Sequence, residues 1–507
     1  MNLSDSRRRV FLVGIDGATW ANLKLWIDQG HLPNFGCILS DGAWGILKST
    51  RPPLSPPAWT SIFTGVNPGK HSIYSFVKYR PARSYTISPI SSHDVLVPPI
   101  WDILNKSSRT GVYINIPFSY PPPVVQGVFT SGLGTPGKGA AFASPTGFRD
   151  EVIRLYPDYD VDFNEGLGRA QISLPRIYAI NQAHMNVFKH TVEKTHRESD
   201  FYAIVLRSLD VLQHFYWERE DTLLEFFRQI DDFLGWVISI LGDHDSLLIC
   251  SDHGFRGVDK RVYVNEWLRA IGLLTVRNGQ KPLSILPSME HIHRLLVRGG
   301  LRKLAWKIKQ TPILPFVAKI FPSRAFEYQT RIDWGATKVF FWEGSSGLLR
   351  LNVSGREPQG SVPKNLYSNL QGHVIEAATS LVEKETGRGV ITLAEKAEDV
   401  YWGSEVLPDV VLSPGPGYVL SSGFSRDGKI FEAEKERGGE HAPEGILALL
   451  GRHIPSIRLP DHVVYDVTPT ILGLLGQQIP TYMDGKALPE LNYGEELHAN
   501  HSPPDST

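Results

Sequence analysis

Leu247-Leu248-Ile249-Cys250-Ser251-Asp252-His253-Gly254 is an apolar run that ends abruptly in an acid, an imidazole and a glycine. The polar Gly242-Asp243-His244-Asp245 precedes it and Gly254 closes it, so the run reads as a short buried strand. Asp252 and His253 then stand where that strand ends. In an open α/β sheet, ligands bind in the crevice beyond the carboxyl ends of the strands. A carboxylate oxygen beside an imidazole nitrogen is also a normal ligand pair for zinc. Alone, such a turn says little, because Asp and Gly are ordinary turn formers. Its weight comes from other segments that end in the same way.

Arg9 to Ile15 reads as a second strand, followed at once by Asp16-Gly17 and by a helix over Asn22 to Gln29. Phe201 to Leu206 reads as a third, followed by Asp210 and His214, whose spacing of four puts both on one face of a helical turn. Gly111 to Ile116 is a further buried strand after a helix at Trp101 to Asn105. Each acid has a plainer reading. Asp16 is a turn former or helix cap, and Asp210 caps its helix while His214 packs among Phe215, Tyr216 and Trp217. Pro52-Pro53-Leu54-Ser55-Pro56-Pro57-Ala58-Trp59 adds a hydroxyl: a helix should begin near Pro57 and end by Gly65. Ser55 then lies just ahead of a helix N-terminus, where free N–H groups favour an anion. It is either a cap or a nucleophile whose alkoxide a metal and those N–H groups stabilise.

The remaining segments organise the chain. Pro117 to Gly147 is dense in Pro, Gly, Ser and Thr and is expected to wrap over the site or the surface. Helices are expected at Pro175 to Glu198 and Asp221 to Leu241. From His291 to Phe326 there is no acidic residue, while Arg294, Arg298, Arg302, Lys303, Lys307, Lys309, Lys319 and Arg324 recur among apolar residues. This marks a basic insertion or cap over 271–332, open to three readings: contact with an anionic substrate, weak contact with an anionic membrane surface, or a solvated helix face. Strands return at Thr337 to Trp342, Gly347 to Val353 and Val410 to Leu412, with a helix at Leu366 to Lys384 between them. Gly438-Gly439-Glu440-His441-Ala442-Pro443 places His441 on a flexible, Gly-rich loop outside any core, and Asp466-Val467-Thr468-Pro469-Thr470 opens a helix. The chain is thus divided into a core at 1–270 and 333–490, the insertion, and a polar tail at 491–507 expected to be disordered.

Bulk properties exclude several classes. A length of 507 residues calls for one large domain with insertions, or two domains. The net charge of -1 offers no attraction to a nucleic-acid polymer. Cys37 and Cys250 are the only cysteines, which rules out a Cys-based zinc site and argues against a disulfide framework. The first apolar run, Val10 to Val13, is too short for a signal-peptide core or a membrane span, and the chain reads as cytoplasmic.

In order and spacing, these motifs resemble the alkaline phosphatase superfamily, specifically its type I phosphodiesterase/nucleotide pyrophosphatase branch. The residues that carry the resemblance are Gly14-Ile15-Asp16-Gly17, Pro53-Leu54-Ser55-Pro56-Pro57-Ala58-Trp59 and Thr64-Gly65-Val66-Asn67-Pro68-Gly69-Lys70-His71. Asp210-x-x-x-His214, Ser251-Asp252-His253-Gly254 and Gly439-Glu440-His441 complete it. The resemblance implies a doubly wound α/β sheet with helices on both faces and an inserted cap. It also implies two Zn²⁺ ions, although Asp/His sets accept Mn²⁺ as well, and a phosphoserine intermediate on Ser55. By the resemblance, Asp16, Ser55, Asp252 and His253 hold one metal, and Asp210, His214 and His441 hold the other. The activity implied is hydrolysis of a small-molecule phosphodiester or nucleotide pyrophosphate. The alternatives are a phosphotransferase or mutase, a phosphomonoesterase, and a non-catalytic metalloprotein at a membrane surface. Three positions depart from the family pattern. Ser55 stands where the phosphodiesterases usually have Thr, and Phe76 stands where they have a substrate-binding Asn. Trp59 occupies the place of the Arg that a formylglycine sulfatase requires.

Overall fold

The protein is described here by a computed structural model. It describes residues 7–79, 84, 85, 87–161, 163, 173–277, 331–344, 346–403, 408–425, 427–491 and 493. The basic run 291–326 and the chain beyond 493 lie outside these residues.

The three strands that end in acids lie side by side. Val10–Ile15 is flanked by Phe201–Leu206 and Ser246–Cys250, parallel to both. Gly111–Ile116 and Gly127–Ser131 extend the parallel set beyond Phe201–Leu206. On the other side Glu444–Leu450 runs antiparallel to both Ser246–Cys250 and Ala43–Lys48. Short pieces at Ala143–Ser144, Ile457–Arg458 and His462–Val463 finish a mixed sheet of ten strands among the described residues.

The central strands are apolar throughout because both faces are covered. Phe11, Val13 and Ile15 point into one core layer with Tyr202, Ile204 and Leu206, while Val10, Leu12, Ala203 and Val205 point into the other. The first layer is closed by the helices Trp20–Asp28, Leu174–Lys194, Ser208–Tyr216 and Glu220–Ile240, and the second by Ser55–Thr64, Ile100–Lys106 and Val467–Leu474. This is the doubly wound α/β arrangement the sequence predicts, and the helix and strand bounds agree with the expected ones to within a few residues, save that the helix expected at Leu366 to Lys384 ends at Thr379. Pro117 to Gly147 departs from expectation: it is not only a wrapping loop, since Gly127–Ser131 and Ala143–Ser144 within it add two strands to the sheet edge.

The strands expected near 337–353 are present as Val339–Phe341 and Leu348–Leu351. With Val410–Pro414 and Ile391–Lys396 they form a separate antiparallel sheet, covered by the helix Tyr367–Thr379. Gly254–Tyr263 ties the two parts together. It continues directly from Asp252-His253 and pairs along its length with Gly439–Ala442, Gly417–Ser421 and Phe431–Ala433.

Candidate metal centre and active site

Every acid and imidazole singled out from the sequence arrives at the carboxyl edge of the central strands. Asp16 follows Val10–Ile15, and Asp252 and His253 follow Ser246–Cys250. Asp210 and His214 lie one turn apart on Ser208–Tyr216, the helix that leaves Phe201–Leu206. Two groups result, Asp16/Asp252/His253 and Asp210/His214/His441, each with one donor atom per residue inside 4.8 Å of the others.

His441 corrects one expectation. It is not on a flexible loop but within the strand Gly439–Ala442, paired opposite Phe255 and only 8% exposed. The glycine before Glu440 explains why a strand forms there. A Cβ on Gly439 would stand 2.8 Å from the Phe255 ring, so only glycine lets the two strands close.

Ser55 is a second, smaller correction. It opens the helix Ser55–Thr64 itself, with Leu54 as the cap residue and Gly65, at φ 70°, ending it. Pro56 and Pro57 have no N–H, and Ala58 N–H is already bonded to the Leu54 carbonyl at 3.1 Å. The first turn therefore has almost no free donors for an anion, and the stabilisation expected from N–H groups is largely missing. Negative charge developing at Ser55 has to be met by cations.

The three imidazoles are oriented alike. His214 Nδ1 lies 3.0 Å from the Gly439 carbonyl, His253 Nδ1 3.0 Å from the Gly254 carbonyl, and His441 Nδ1 3.0 Å from the Pro53 carbonyl. A neutral ring whose Nδ1 donates to a carbonyl presents its Nε2 as a lone pair, the usual state of a metal-binding histidine. Those Nε2 atoms converge: His214 and His441 are 3.1 Å apart at Nε2, and the His253 and His441 rings stack with centroids at 3.8 Å. Against them stand the carboxylates. His253 Nε2 is 3.2 Å from Asp252 Oδ2 and 3.5 Å from Asp16 Oδ1. Asp210 Oδ1 is 3.3 Å from His214 Nε2 and 3.2 Å from His441 Nε2. Ser55 Oγ lies 3.2 Å from His253 Nε2.

One oxygen of each carboxylate, Asp16 Oδ1, Asp210 Oδ1 and Asp252 Oδ2, is buried and has no hydrogen-bond donor. The other oxygens of the first group are fixed: Trp59 Nε1–H donates to Asp16 Oδ2 at 2.9 Å, and Gly17 N–H to Asp252 Oδ1 at 3.3 Å. Orphaned carboxylate oxygens facing imidazole lone pairs in a buried space are unfavourable unless a cation sits between them. The residues present therefore fit divalent metal ions, and these two groups are the ones that would hold them.

For Asp16, Asp252, His253 and His441 the electrostatics agree, while Asp210 and His214 without a cation between them favour an ion pair. Burial, then repulsion from Asp252 and Asp210, holds the Asp16 carboxyl well above its ordinary range. Burial and Asp210 push Asp252 up to about 8. Burial takes His253 down to about 4, and burial with the neighbouring His253 does the same to His441. In Asp210 burial is outweighed by His214 and His441, which hold its carboxyl well below the usual range, and Asp210 in turn raises His214 despite its burial.

Trp59, the Pro53 carbonyl and Gln213, whose Nε2–H donates to Gly17 O at 2.8 Å, all position ligand-bearing turns and were not evident from the sequence as site residues. For Trp59 the signal was there: an aromatic donor four residues after the serine, in the same helix.

Over residues 10–444 the chain matches the family described as type I phosphodiesterase / nucleotide pyrophosphatase. Among solved structures it is similar to phosphonoacetate hydrolase from Sinorhizobium meliloti 1021. In complex with phosphonoformate that structure gives a TM-score of 0.57 at 13% identity, over 92% of this chain and 96% of that one. In complex with phosphonoacetate it gives 0.55 at 14%, over the same shares. At such identities the likeness is one of fold. No curated protein sequence matches the chain.

Proposed function

Because the chain belongs to the type I phosphodiesterase/nucleotide pyrophosphatase family of the alkaline phosphatase superfamily, and is thus a hydrolase acting on phosphoester bonds, we propose that it cleaves a small-molecule phosphodiester through a covalent phosphoserine on Ser55. The observation that carries this reading is the place of Ser55 Oγ, 3.2 Å from His253 Nε2 at the edge of two converging ligand groups. A hydroxyl so placed at the start of a rigid, wholly buried helix turn is oriented for attack.

Asp16, Asp252 and His253 with Ser55 would hold one divalent cation, and Asp210, His214 and His441 the other. Mixed Asp/His sets suit Zn²⁺ best and take Mn²⁺ as well. When bound, such ions supply Lewis-acid stabilisation of charge on the attacking and departing oxygens. Ser55 Oγ attacks phosphorus in line, the ester P–O bond breaks and the alcohol leaves. The serine proton leaves with that alcohol, and Ser55 is left esterified to a phosphoryl group that keeps the second ester. Water then attacks this phosphorus, breaks the Ser55 Oγ–P bond, restores the hydroxyl and releases a phosphomonoester. Trp59 and Gln213 keep the Asp16 turn in place throughout.

The test is turnover of bis(p-nitrophenyl) phosphate against p-nitrophenyl phosphate by zinc-loaded protein, with Ser55→Ala and Asp252→Ala as controls. The expected result is a diester preference, and a loss in both variants of about a thousandfold or more. A monoester preference would assign the protein to the phosphomonoesterases. Phosphoryl transfer to an added alcohol in excess of hydrolysis would make it a transferase. Release of p-nitrophenol from the diester by Ser55→Ala at the wild-type rate would rule out the covalent route.

A further inference from the structure

A cleft of about 370 Å³ lies among Leu54, Phe215, the stretch around Glu343, and the paired strands Gly254–Tyr263 and Gly417–Ser421. Leu54 and Phe215 in its wall are the chain neighbours of Ser55 and His214. Its other apolar wall is Phe76, Val419 and Leu420. Phe76 is 38% exposed there, a large share for a phenyl ring, and is braced edge-on by Phe118 at 5.7 Å.

The charged residues of the wall are largely occupied with one another. Arg261 Nε–H donates to Glu434 at 2.8 Å, and Arg437 donates to Glu440 at 2.9 Å. Glu343 differs. Its Oε2 is buried and has no hydrogen-bond partner, and Phe76 N–H donates to its carboxyl. The Glu343 carbonyl accepts from Ser346 Oγ at 3.1 Å, which fixes the loop that presents it. Glu343 thus lines the cleft with a carboxyl that has one oxygen without a partner, the kind of group a bound hydroxyl completes.

We propose that Glu343 selects the alcohol half of the substrate: a flat apolar alcohol group lies against Phe76 and Phe215, and the Glu343 carboxyl hydrogen-bonds a further hydroxyl carried on it. Burial pushes this carboxyl up to about 8, so at neutral pH it is protonated and both donates and accepts, as a neutral hydroxyl requires. The assignment rests on the phosphodiesterase reading, since it concerns the group esterified to the phosphorus that Ser55 attacks.

The test uses two matched probes, the para-hydroxymethylphenyl and para-ethylphenyl methyl phosphodiesters, together with their meta isomers. The pairs are nearly equal in size and leaving-group strength and differ in one hydroxyl. Wild-type protein is expected to favour the hydroxymethyl member of one pair by about tenfold or more in kcat/KM, since an unmet buried polar group penalises the analogue that lacks the partner. Glu343→Leu should reverse the preference, and Glu343→Gln should keep part of it. Glu343→Met carries the same expectation as Leu and guards against a packing defect in that variant. An unchanged preference in Leu and Met, or a wild-type preference absent from both pairs, overturns the assignment of Glu343 while leaving the phosphodiesterase reading intact. Full activity of Ser55→Ala on these probes overturns the covalent route and leaves the Glu343 comparison standing. No hydrolysis of any probe overturns both.

Discussion

Asp16 is held by one indole: Trp59 Nε1–H bonds its Oδ2, and the ring packs so close to Gly14 that a Cβ there would be 2.4 Å from it. The tryptophan thus fixes which carboxylate oxygen is left for a metal. Trp59→Phe keeps the packing and removes the donor. Its zinc affinity is expected to fall about 10–100-fold in a chelator competition, the usual effect of losing a group that orients a ligand; unchanged affinity would deny the indole this role. His71, in the motif after Gly65, does something else. It is fully buried, accepts from Ile73 N–H at Nδ1, lies 3.0 Å from Ser61 Oγ, and burial pushes its pKa down to about 3. The folded protein therefore keeps His71 neutral while the unfolded chain protonates it near its ordinary value of about 6.5. Its share of stability is present above that pH and is lost as pH falls toward about 3, by up to about 1.4 kcal/mol per pH unit. Urea unfolding across this range should show a shallower acid slope in His71→Gln, and equal slopes would refute the assignment. At this scale the sequence was informative wherever an acid or imidazole follows an apolar strand, as with Asp16, Asp210, His214, Asp252 and His253. It left the role of Trp59 unread: the one signal, an aromatic donor four residues after the serine, is carried by a residue that also looks like any other core aromatic.

The strand Gly254–Tyr263 is the element on which the site depends most. It begins at the residue whose carbonyl orients His253, and its first four residues pair with the strand that carries His441. Gly254 also packs on the Glu444 carbonyl so closely that a Cβ would stand 2.0 Å from that oxygen. Backbone cannot give way as a flexible side chain can, so Gly254→Ala must push the start of Gly254–Tyr263 away from the start of Glu444–Leu450. We expect a loss of about 2–3 kcal/mol in denaturant unfolding together with weakened metal binding, and a variant as stable as wild type would contradict this geometry. The strand that brings in His441 was hidden in the sequence for a physical reason. Gly439-Glu440-His441-Ala442, following a charged run, has little strand propensity of its own and is ordered by pairing with a segment almost two hundred residues earlier. The same holds for Gly127–Ser131, a short strand amid prolines and glycines that the sheet edge completes.

On the scale of the whole molecule, two parallel strands and one helix, with Ser55 and His441 from elsewhere, converge on a buried space with three carboxylates. Folding without metal has to accept that repulsion, so metal binding should also stabilise the fold. Thermal unfolding is expected to shift upward on adding Zn²⁺ to chelator-treated protein, by the equivalent of about 2.7 kcal/mol at a hundredfold excess over Kd. Asp210→Asn and Asp252→Asn should each shrink the shift. A melting temperature indifferent to metal in the wild type would show that these groups hold none. Among the described residues no helix is long and apolar enough to cross a membrane. The doubly wound core was legible because its strands are apolar on both faces; the antiparallel place of Glu444–Leu450 was not, since no local pattern announces a partner so remote.

That strand lies between Ser246–Cys250 and Ala43–Lys48 and is bonded to both. During synthesis the N-terminal part of the sheet leaves the ribosome with a gap where it belongs. Ala43–Lys48 must wait for about 400 further residues, on the order of 20–80 s at ordinary elongation rates. Over that interval the nascent chain presents the unpaired edge of Ser246–Cys250 once it has emerged, and an open strand edge is a template for pairing with another chain. A message truncated before codon 444 would yield a polypeptide with most of the core and no means of closing it.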